Sequence, residues 1–247
     1  MNFSEISNHS VVGRILRSPL KLIPEDMPMP ILQGKLRGKK WIAGAHTHGC
    51  WLGSYEQGKQ VLFAGRVGEG EVVFDIGANV GFYTLLASTL VGAGGHVYAF
   101  EPLPRNIDYL RQHLLLNQVN NVTVIEAAAS AGTGFATFED GGPSAMGHLS
   151  LSGSLQVKTV GIDDLISRGI VRSPDVLKLD VEGDEMLVLS GARSALERSK
   201  PTIFLATHGP QVHREACEFL RSLDYQLESI SPQTLEETDE LIAFCRP

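Results

Sequence analysis

Three short stretches of this 247-residue chain end an apolar run with acidic side chains at a turn, two of them beside glycine. The first is Asp75-Ile-Gly77-Ala-Asn79-Val-Gly81. Gly77 permits a tight turn, and Gly81 lets backbone approach a neighbour or a ligand closely. Asp75, at the end of the run, can accept hydrogen bonds from loop amides or from a ligand ammonium. The second is Glu101, about twenty residues past Gly81. A carboxylate there can accept the hydroxyls of a ribose, a device common to several adenosine-ligand sites. The third is Lys178-Leu-Asp180-Val-Glu182-Gly183. Strand alternation puts Asp180 and Glu182 on one side if the strand persists that far. From there they can position an acceptor hydroxyl, bind a divalent ion or bond the turn backbone. No metal is expected, because no third ligand stands nearby in the sequence and a hard cation needs several oxygens.

These residues also discriminate between ligands. The dinucleotide fingerprint G-x-G-x-x-G is not met, since Asn79 stands at the second glycine and Phe82 follows Gly81. A pyrophosphate would be repelled by the acid that begins the loop. The balance favours a cationic sulfonium cofactor, S-adenosylmethionine. A nicotinamide-dependent oxidoreductase and a non-catalytic adenosine-ligand binder are the competing classes.

Such residues need strands and helices to hold them. Glu71–Asp75, His96–Glu101, Val122–Glu126, Val176–Asp180 and Thr202–Ala206 read as short buried strands. Between them run helical patterns: Val80–Val91, a helix opening at Pro104, Asp184–Leu196 and Val212–Leu223. Segments near Gln226–Ile230 and Leu241–Cys245 close the chain as an antiparallel pair. Asp163 is expected to cap a short helix. The pattern predicts an α/β fold, a mainly parallel sheet with helices on both faces and ligands at the C-terminal strand ends. Residues 131–160 hold short β-like pieces and a Gly/Ser-rich loop. The first sixty residues lack a clean period, being broken by proline and glycine, with short strands expected around Leu32–Ile42 and a helix at Ser54–Ala64.

Composition bounds the partners. Hydrophobic residues make up 43% and charged residues 20%, which suits a globular domain and excludes a disordered chain. The net charge of −7 is uneven: residues 1–60 hold eight Lys/Arg against four Asp/Glu, and residues 61–247 thirteen against twenty-four. An acidic body argues against broad nucleic-acid binding. Three widely spaced cysteines, no apolar run long enough to span a membrane and no signal-like N-terminus make a cytoplasmic protein the expectation. A homo-oligomer is compatible with all of this.

Taken together, FDIGANVGFYTL, YAFEP, KLDVEG and the Gly191-Ala192 pair resemble the FkbM-type family of S-adenosylmethionine-dependent methyltransferases. The resemblance spans roughly residues 71–206 and implies the Rossmann-like, seven-stranded class I methyltransferase fold. It also implies O-methylation of a hydroxyl on a sugar, polyketide or related natural product, so the partner is a small-molecule or glycan acceptor. Carried onto this chain, Asp75, Gly77, Asn79 and Gly81 match the cofactor loop and Glu101 the ribose acid. Asp180 and Glu182 match the motif near the methyl group. Residues 1–60 become an extension serving as a lid, and residues 61–247 the methyltransferase domain. HTHGCWLGSYE, His46–Glu56, resembles the lead-in of some members and offers Tyr55 to the acceptor. Trp41 and Trp51 either line the pocket or pack the extension.

Transfer to an alcohol needs alignment, exclusion of water and removal of a proton. His208 follows the Thr202–Ala206 strand at the ligand edge and titrates in the useful range, so it is the leading base, with Asp180 as the alternative. His148 in the Gly/Ser-rich loop, His46 and His48 are further candidates.

Overall fold

The protein is described by a computed structural model covering residue 20, residues 22–140, 147–149 and 155–245. The lead segment forms a small hairpin, β1 (Pro28–Pro30) and β2 (Lys40–Ile42), then two helices, α1 (Gly49–Leu52) and α2 (Gln57–Ala64). Alternation follows: β3 (Val72–Ile76), α3 (Phe82–Val91), β4 (His96–Phe100), α4 (Pro104–Leu116) and β5 (Val122–Ile125). Four short strands come next: β6 (Ala128–Ala129), β7 (Gly134–Asp140), β8 (Gly147–Leu149) and β9 (Leu155–Val160). The remainder is α5 (Ile162–Ser167), β10 (Val176–Leu179), α6 (Glu185–Gly191), α7 (Arg193–Ser199), β11 (Thr202–Ala206), α8 (Pro210–Ser222), β12 (Gln226–Ser229) and β13 (Glu240–Phe244).

Seven strands make one sheet in the order β12-β13-β11-β10-β3-β4-β5. All pairings are parallel except those of β13, which runs antiparallel to both β11 and β12. From β3 the chain steps outward to β4 and β5, then returns to the other side of β3 as β10 and β11. The loops leaving β3 and β10 therefore diverge, and the crevice between them is where open α/β sheets bind ligands. This topology brings the Gly77 loop and the Asp180 turn together. Every residue of β3 and β10 is buried, as expected for strands covered on both faces, whereas the edge strand β12 alternates between exposed and half-buried.

Alternation along the central strands feeds two cores. Phe74, Ile76, Leu177, Leu179, Ile203 and Leu205 pack beneath α5–α8. Val73, Val97, Val176 and Phe204 pack on the other face beneath α3. Ile31, Trp41, Cys50, Trp51 and Phe63 of the lead segment belong to that second core, so this segment is packed into the sheet domain.

Two expectations are corrected. The helix expected over Asp184–Leu196 is two helices, α6 and α7, meeting at Ala192. The Asp163 carboxylate explains the break: it accepts the amides of Ser194 and Ala195 at 2.8 and 2.9 Å, capping α7. Asp163 thus caps a helix distant in sequence, and its own helix α5 begins from Gly161 without a side-chain cap. The β-like pieces after residue 127 pair into a separate four-stranded sheet, β6-β9-β7-β8.

Buried His113 on α4 ties the lead segment to the domain. Its Nδ1–H donates to the Val80 carbonyl at 2.8 Å, its Nε2 accepts the Ile42 amide at 3.1 Å, and Trp41 stacks on the ring at 3.8 Å. A nitrogen accepting an N–H must be unprotonated, and burial pushes the imidazole down to about 4. Because the folded value lies below the unfolded one, this contribution is complete above about pH 6.5 and is lost as pH falls towards 4. The stability gap between wild type and His113→Gln in urea unfolding is expected to shrink by about 3 kcal/mol between pH 7 and pH 4. A gap constant across that window would refute the assignment.

Candidate active site

A cavity of about 350 Å³ lies at the C-terminal ends of β3, β4, β10 and β11. One wall is the turn after β3. Gly77 has φ +74° and Asn79 φ +50°, both in the left-handed region. The amides of Gly77 and Ala78 donate to the Phe100 carbonyl at 3.1 and 2.9 Å, which pins this turn to the end of β4. The adjoining Glu101 is 4% exposed. Its Oε2 accepts the Asn79 amide at 2.8 Å; its Oε1 accepts the Leu103 amide at 3.0 Å and the Asn106 side-chain N–H at 3.1 Å. Burial raises its pKa despite these bonds. A carboxylate has roughly four acceptor directions, so protein donors take most of them and about one is left for a ligand hydroxyl, fewer than the two of a ribose.

Asp75 and Gly81 are placed otherwise than expected: neither lines the cavity. Asp75 is 1% exposed and stands opposite Lys178 in the β3–β10 register, on the face covered by α3. Its Oδ2 accepts the Thr84 hydroxyl at 2.6 Å, and its Oδ1 lies 3.5 Å from Lys178 Nζ. A strand residue so placed points into the core layer, not past the strand end. Gly81 begins α3, and any Cβ on it would run into Leu110 of α4, so this glycine serves helix packing.

Lys178 is the hub that links the two motifs. Its ammonium donates to the Gly77 carbonyl at 2.9 Å and lies 3.7 Å from Asp180 Oδ2 as well as close to Asp75. Lys178 and Lys59 each stand 5.7 Å from the Tyr83 ring centre. Lys59 is bound to Glu240 and lies 3.5 Å from Glu56, whose Oε2 accepts the Tyr83 hydroxyl at 2.9 Å.

At the far end the turn after β10 meets the loop after β11. The strand ends at Leu179, so the extended alternation expected for Asp180 and Glu182 does not apply. A left-handed Glu182, φ +56°, nonetheless turns its carboxylate back. His208 Nε2 lies 3.3 Å from Glu182 Oε2 and 3.8 Å from Asp180 Oδ1. Its Nδ1 bonds Glu185 Oε1 at 2.8 Å, and Glu185 is wholly buried. Hydrogen bonding to Glu185, partly opposed by burial and helped by Glu182 and Asp180, raises the His208 pKa. Burial would raise the Asp180 pKa, but Lys178, Lys59 and His208 reverse this and hold it below the ordinary value.

The lead segment supplies His46, Cys50, Tyr55 and Glu56 to the lining. Burial, reinforced by Glu56, pushes the Tyr55 hydroxyl up, and burial lowers His46, leaving both groups neutral near pH 7. Trp41 and Trp51 are buried and absent from the lining, so they pack. His48 lies off the cavity beside Trp51. His148 lies on β8, and its side chain falls outside the described residues.

Of the expected site residues, Gly77, Asn79, Glu101, Asp180, Glu182, His208 and Tyr55 gather at the cavity. Lys178, Glu56 and Glu240 join them in the lining, and Glu185 stands behind His208, four residues with no role in the sequence expectation. Only Lys178 carries a signal in the chain, a lone charge within the otherwise apolar run VLKL.

A sheet of this order, with one reversed strand and a cavity at its switch point, is that of the class I methyltransferases. Two solved structures share it: methyltransferase FkbM from Methylobacillus flagellatus KT (TM-score 0.53, 23% identity, covering 70% of this chain and 43% of that one) and a putative rRNA methylase from Clostridium thermocellum (TM-score 0.51, 16% identity, covering 75% and 90%). Residues 75–227 match the methyltransferase FkbM domain, and the chain belongs to that family. Its curated relatives include the hexuronic acid methyltransferase AglP of Haloferax volcanii, 34% identical over 131 residues, which are 52% of this chain and 53% of AglP. Another is the 31-O-demethyl-FK506 methyltransferase FkbM of Streptomyces tacrolimicus, 28% identical over 159 residues, covering 51% of this chain and 61% of that protein. The chain spans about half the length of such relatives.

Proposed function

We propose that this chain is an S-adenosylmethionine-dependent O-methyltransferase acting on a hydroxyl of a sugar, polyketide or related natural product. The observation that carries this is a single cavity with two chemically distinct ends. Glu101 and the Gly77–Asn79 turn form one, and Asp180, Glu182 and His208 form the other. The donor set fits the cofactor. Glu101 offers a buried acceptor to a ribose hydroxyl, Asn79 shapes the turn beside it, and Asp180 presents negative charge to a cationic ligand. When bound, S-adenosylmethionine supplies a methyl group activated on a sulfonium.

The chain's own residues do the rest. Asp75 acts through Lys178, which holds the Gly77 carbonyl and Asp180 in one frame, and Gly81 lets α3 start against α4. His208, oriented by Glu185, and Asp180 activate the acceptor oxygen; Tyr55 and Glu182 flank it. Of the lead extension, residues 1–60, the described part that carries His46, Cys50, Tyr55 and Glu56 serves as the wall and lid that keep water from the methyl, with residues 61–247 as the catalytic domain. The names of AglP and FkbM support the acceptor class. The carboxylate-rich lining disfavours a pyrophosphate and a nucleic-acid backbone alike. Among the described residues no helix is long and apolar enough to cross a membrane, and Cys50, Cys217 and Cys245 are unpaired, which supports a cytoplasmic setting.

Calorimetry with S-adenosylhomocysteine and NADH, joined to a labelled-methyl screen of sugars and polyketides, tests the proposal. Wild type is expected to bind S-adenosylhomocysteine, and Glu101→Ala to bind it roughly 10- to 100-fold more weakly, as befits loss of a charged hydrogen bond. Binding of NADH alone, or equal affinity in the variant, would overturn it.

A further inference from the structure

Asp180, Glu182 and His208 each offer one donor atom to a common point, all within 4.8 Å of one another. The geometry points to a divalent-cation site of the Mn²⁺ or Zn²⁺ kind there, placed where the acceptor oxygen is received.

The donor set is mixed, one imidazole and two carboxylates, a combination suited to these ions. Metal–ligand bonds of roughly 2.0–2.2 Å bring neighbouring donors roughly 3–3.5 Å apart. The 3.3 Å between His208 Nε2 and Glu182 Oε2 already meets this, and the 3.8 Å to Asp180 Oδ1 needs only a small side-chain adjustment. The other imidazole nitrogen is held by Glu185, the carboxylate–histidine arrangement that orients metal-binding imidazoles.

Glu185 supplies an independent indication. It is 0% exposed; its Oε1 bonds His208 Nδ1 at 2.8 Å and accepts the Gly183 amide at 3.0 Å, and its Oε2 has no hydrogen-bond partner. A buried carboxylate with an unbonded oxygen is costly unless positive charge adjoins it. The lysines of the cavity are engaged elsewhere: Lys178 with Gly77, Asp75 and Asp180, and Lys59 with Glu56 and Glu240. A cation held on His208 Nε2 draws electron density from the imidazole and so strengthens the Nδ1–H bond that Glu185 accepts.

This deepens the methyl-transfer proposal and rests on it for its function, though not for binding. Three protein donors leave positions for acceptor oxygens and water. The cation makes the acceptor hydroxyl more acidic, so that His208 and Asp180 activate the acceptor oxygen as ligands of the ion and its proton leaves to solvent. In this the proposal departs from the expectation of no metal drawn from the sequence.

Manganous ion alone is the probe. The full chain, stripped with chelator, is titrated with Mn²⁺ while the signal of the free ion is followed by electron paramagnetic resonance, and with Zn²⁺ by calorimetry. One ion per chain is expected for at least one of the two metals. Asp180→Asn/Glu182→Gln should weaken it at least tenfold, while Glu197→Gln, remote from the cavity, leaves it unchanged. The Glu182→Gln single variant serves if the double variant does not fold, with the same direction expected. No binding of either ion below millimolar, or binding that survives these substitutions, overturns the site. S-adenosylhomocysteine binding on the same sample separates the two proposals. Retained nucleoside binding without any ion sinks only the metal site; a bound ion without nucleoside binding sinks only the methyl-transfer reading.

Discussion

Lys178→Met is expected to destabilise the fold by about 3–5 kcal/mol, the range for removing one partner of a buried ion pair. The substitution keeps the apolar stem but strands Asp75, 1% exposed, on the covered face of β3 with only the Thr84 hydroxyl to solvate it. It also removes the donor to the Gly77 carbonyl and one of the charges that hold the Asp180 pKa down. Adding Asp75→Asn to this variant should recover much of the loss, because a neutral amide is far cheaper to bury than an unpaired carboxylate. Urea unfolding of the single and double variants reads both effects. A transition midpoint unmoved by Lys178→Met would show that the ion pair is not what holds the two motif loops in register.

Gly77→Ala should cost about 2–5 kcal/mol and abolish cofactor binding. Two separate costs meet at this position. The left-handed φ of +74° penalises any L side chain by about 1–2 kcal/mol. A Cβ there would also overlap the Asp180 carbonyl oxygen, which is backbone and has no rotamer by which to yield; such overpacking costs about 1–3 kcal/mol. The turn would be pushed away from the Asp180 segment and from the Phe100 carbonyl that pins it. Gly183→Ala is the control: its φ is also positive, but a Cβ there meets nothing within 4 Å. It should show only the conformational part. Equal effects in the two variants would mean that close approach at Gly77 is not what matters.

Much of the architecture was legible because local chemistry and tertiary demand agreed. The central strands announced themselves as apolar runs since both faces of β3 and β10 are covered, and Pro104 marked the start of α4 because its missing N–H is harmless in a first turn. Where a distant group decided the outcome, the local signal misled. Asp163 looked like a cap for the helix it opens and instead caps α7, some thirty residues on, splitting a helix that reads as continuous. Asp75 looked like a ligand contact because it ends a strand beside a glycine turn. Its direction depends on the register with β10, which sets Lys178 across from it.

By itself, the order of amino acids determined the class of fold, the two motif turns and the carboxylate that follows β4. Those rest on period, on the conformational freedom of glycine and on spacing of about twenty residues, all of which act over short stretches. Only the tertiary structure decided which side chains share a charge. The sheet places β10 beside β3 and β11 beside β10, so Lys178 meets Asp75, and His208 meets Asp180 and Glu182 from 26 or more residues away in the chain. A third side chain beside the Asp180–Glu182 turn therefore comes from one strand over. Electrostatic interaction depends on distance in space, and strand neighbours in a sheet are set by topology, which no local pattern encodes.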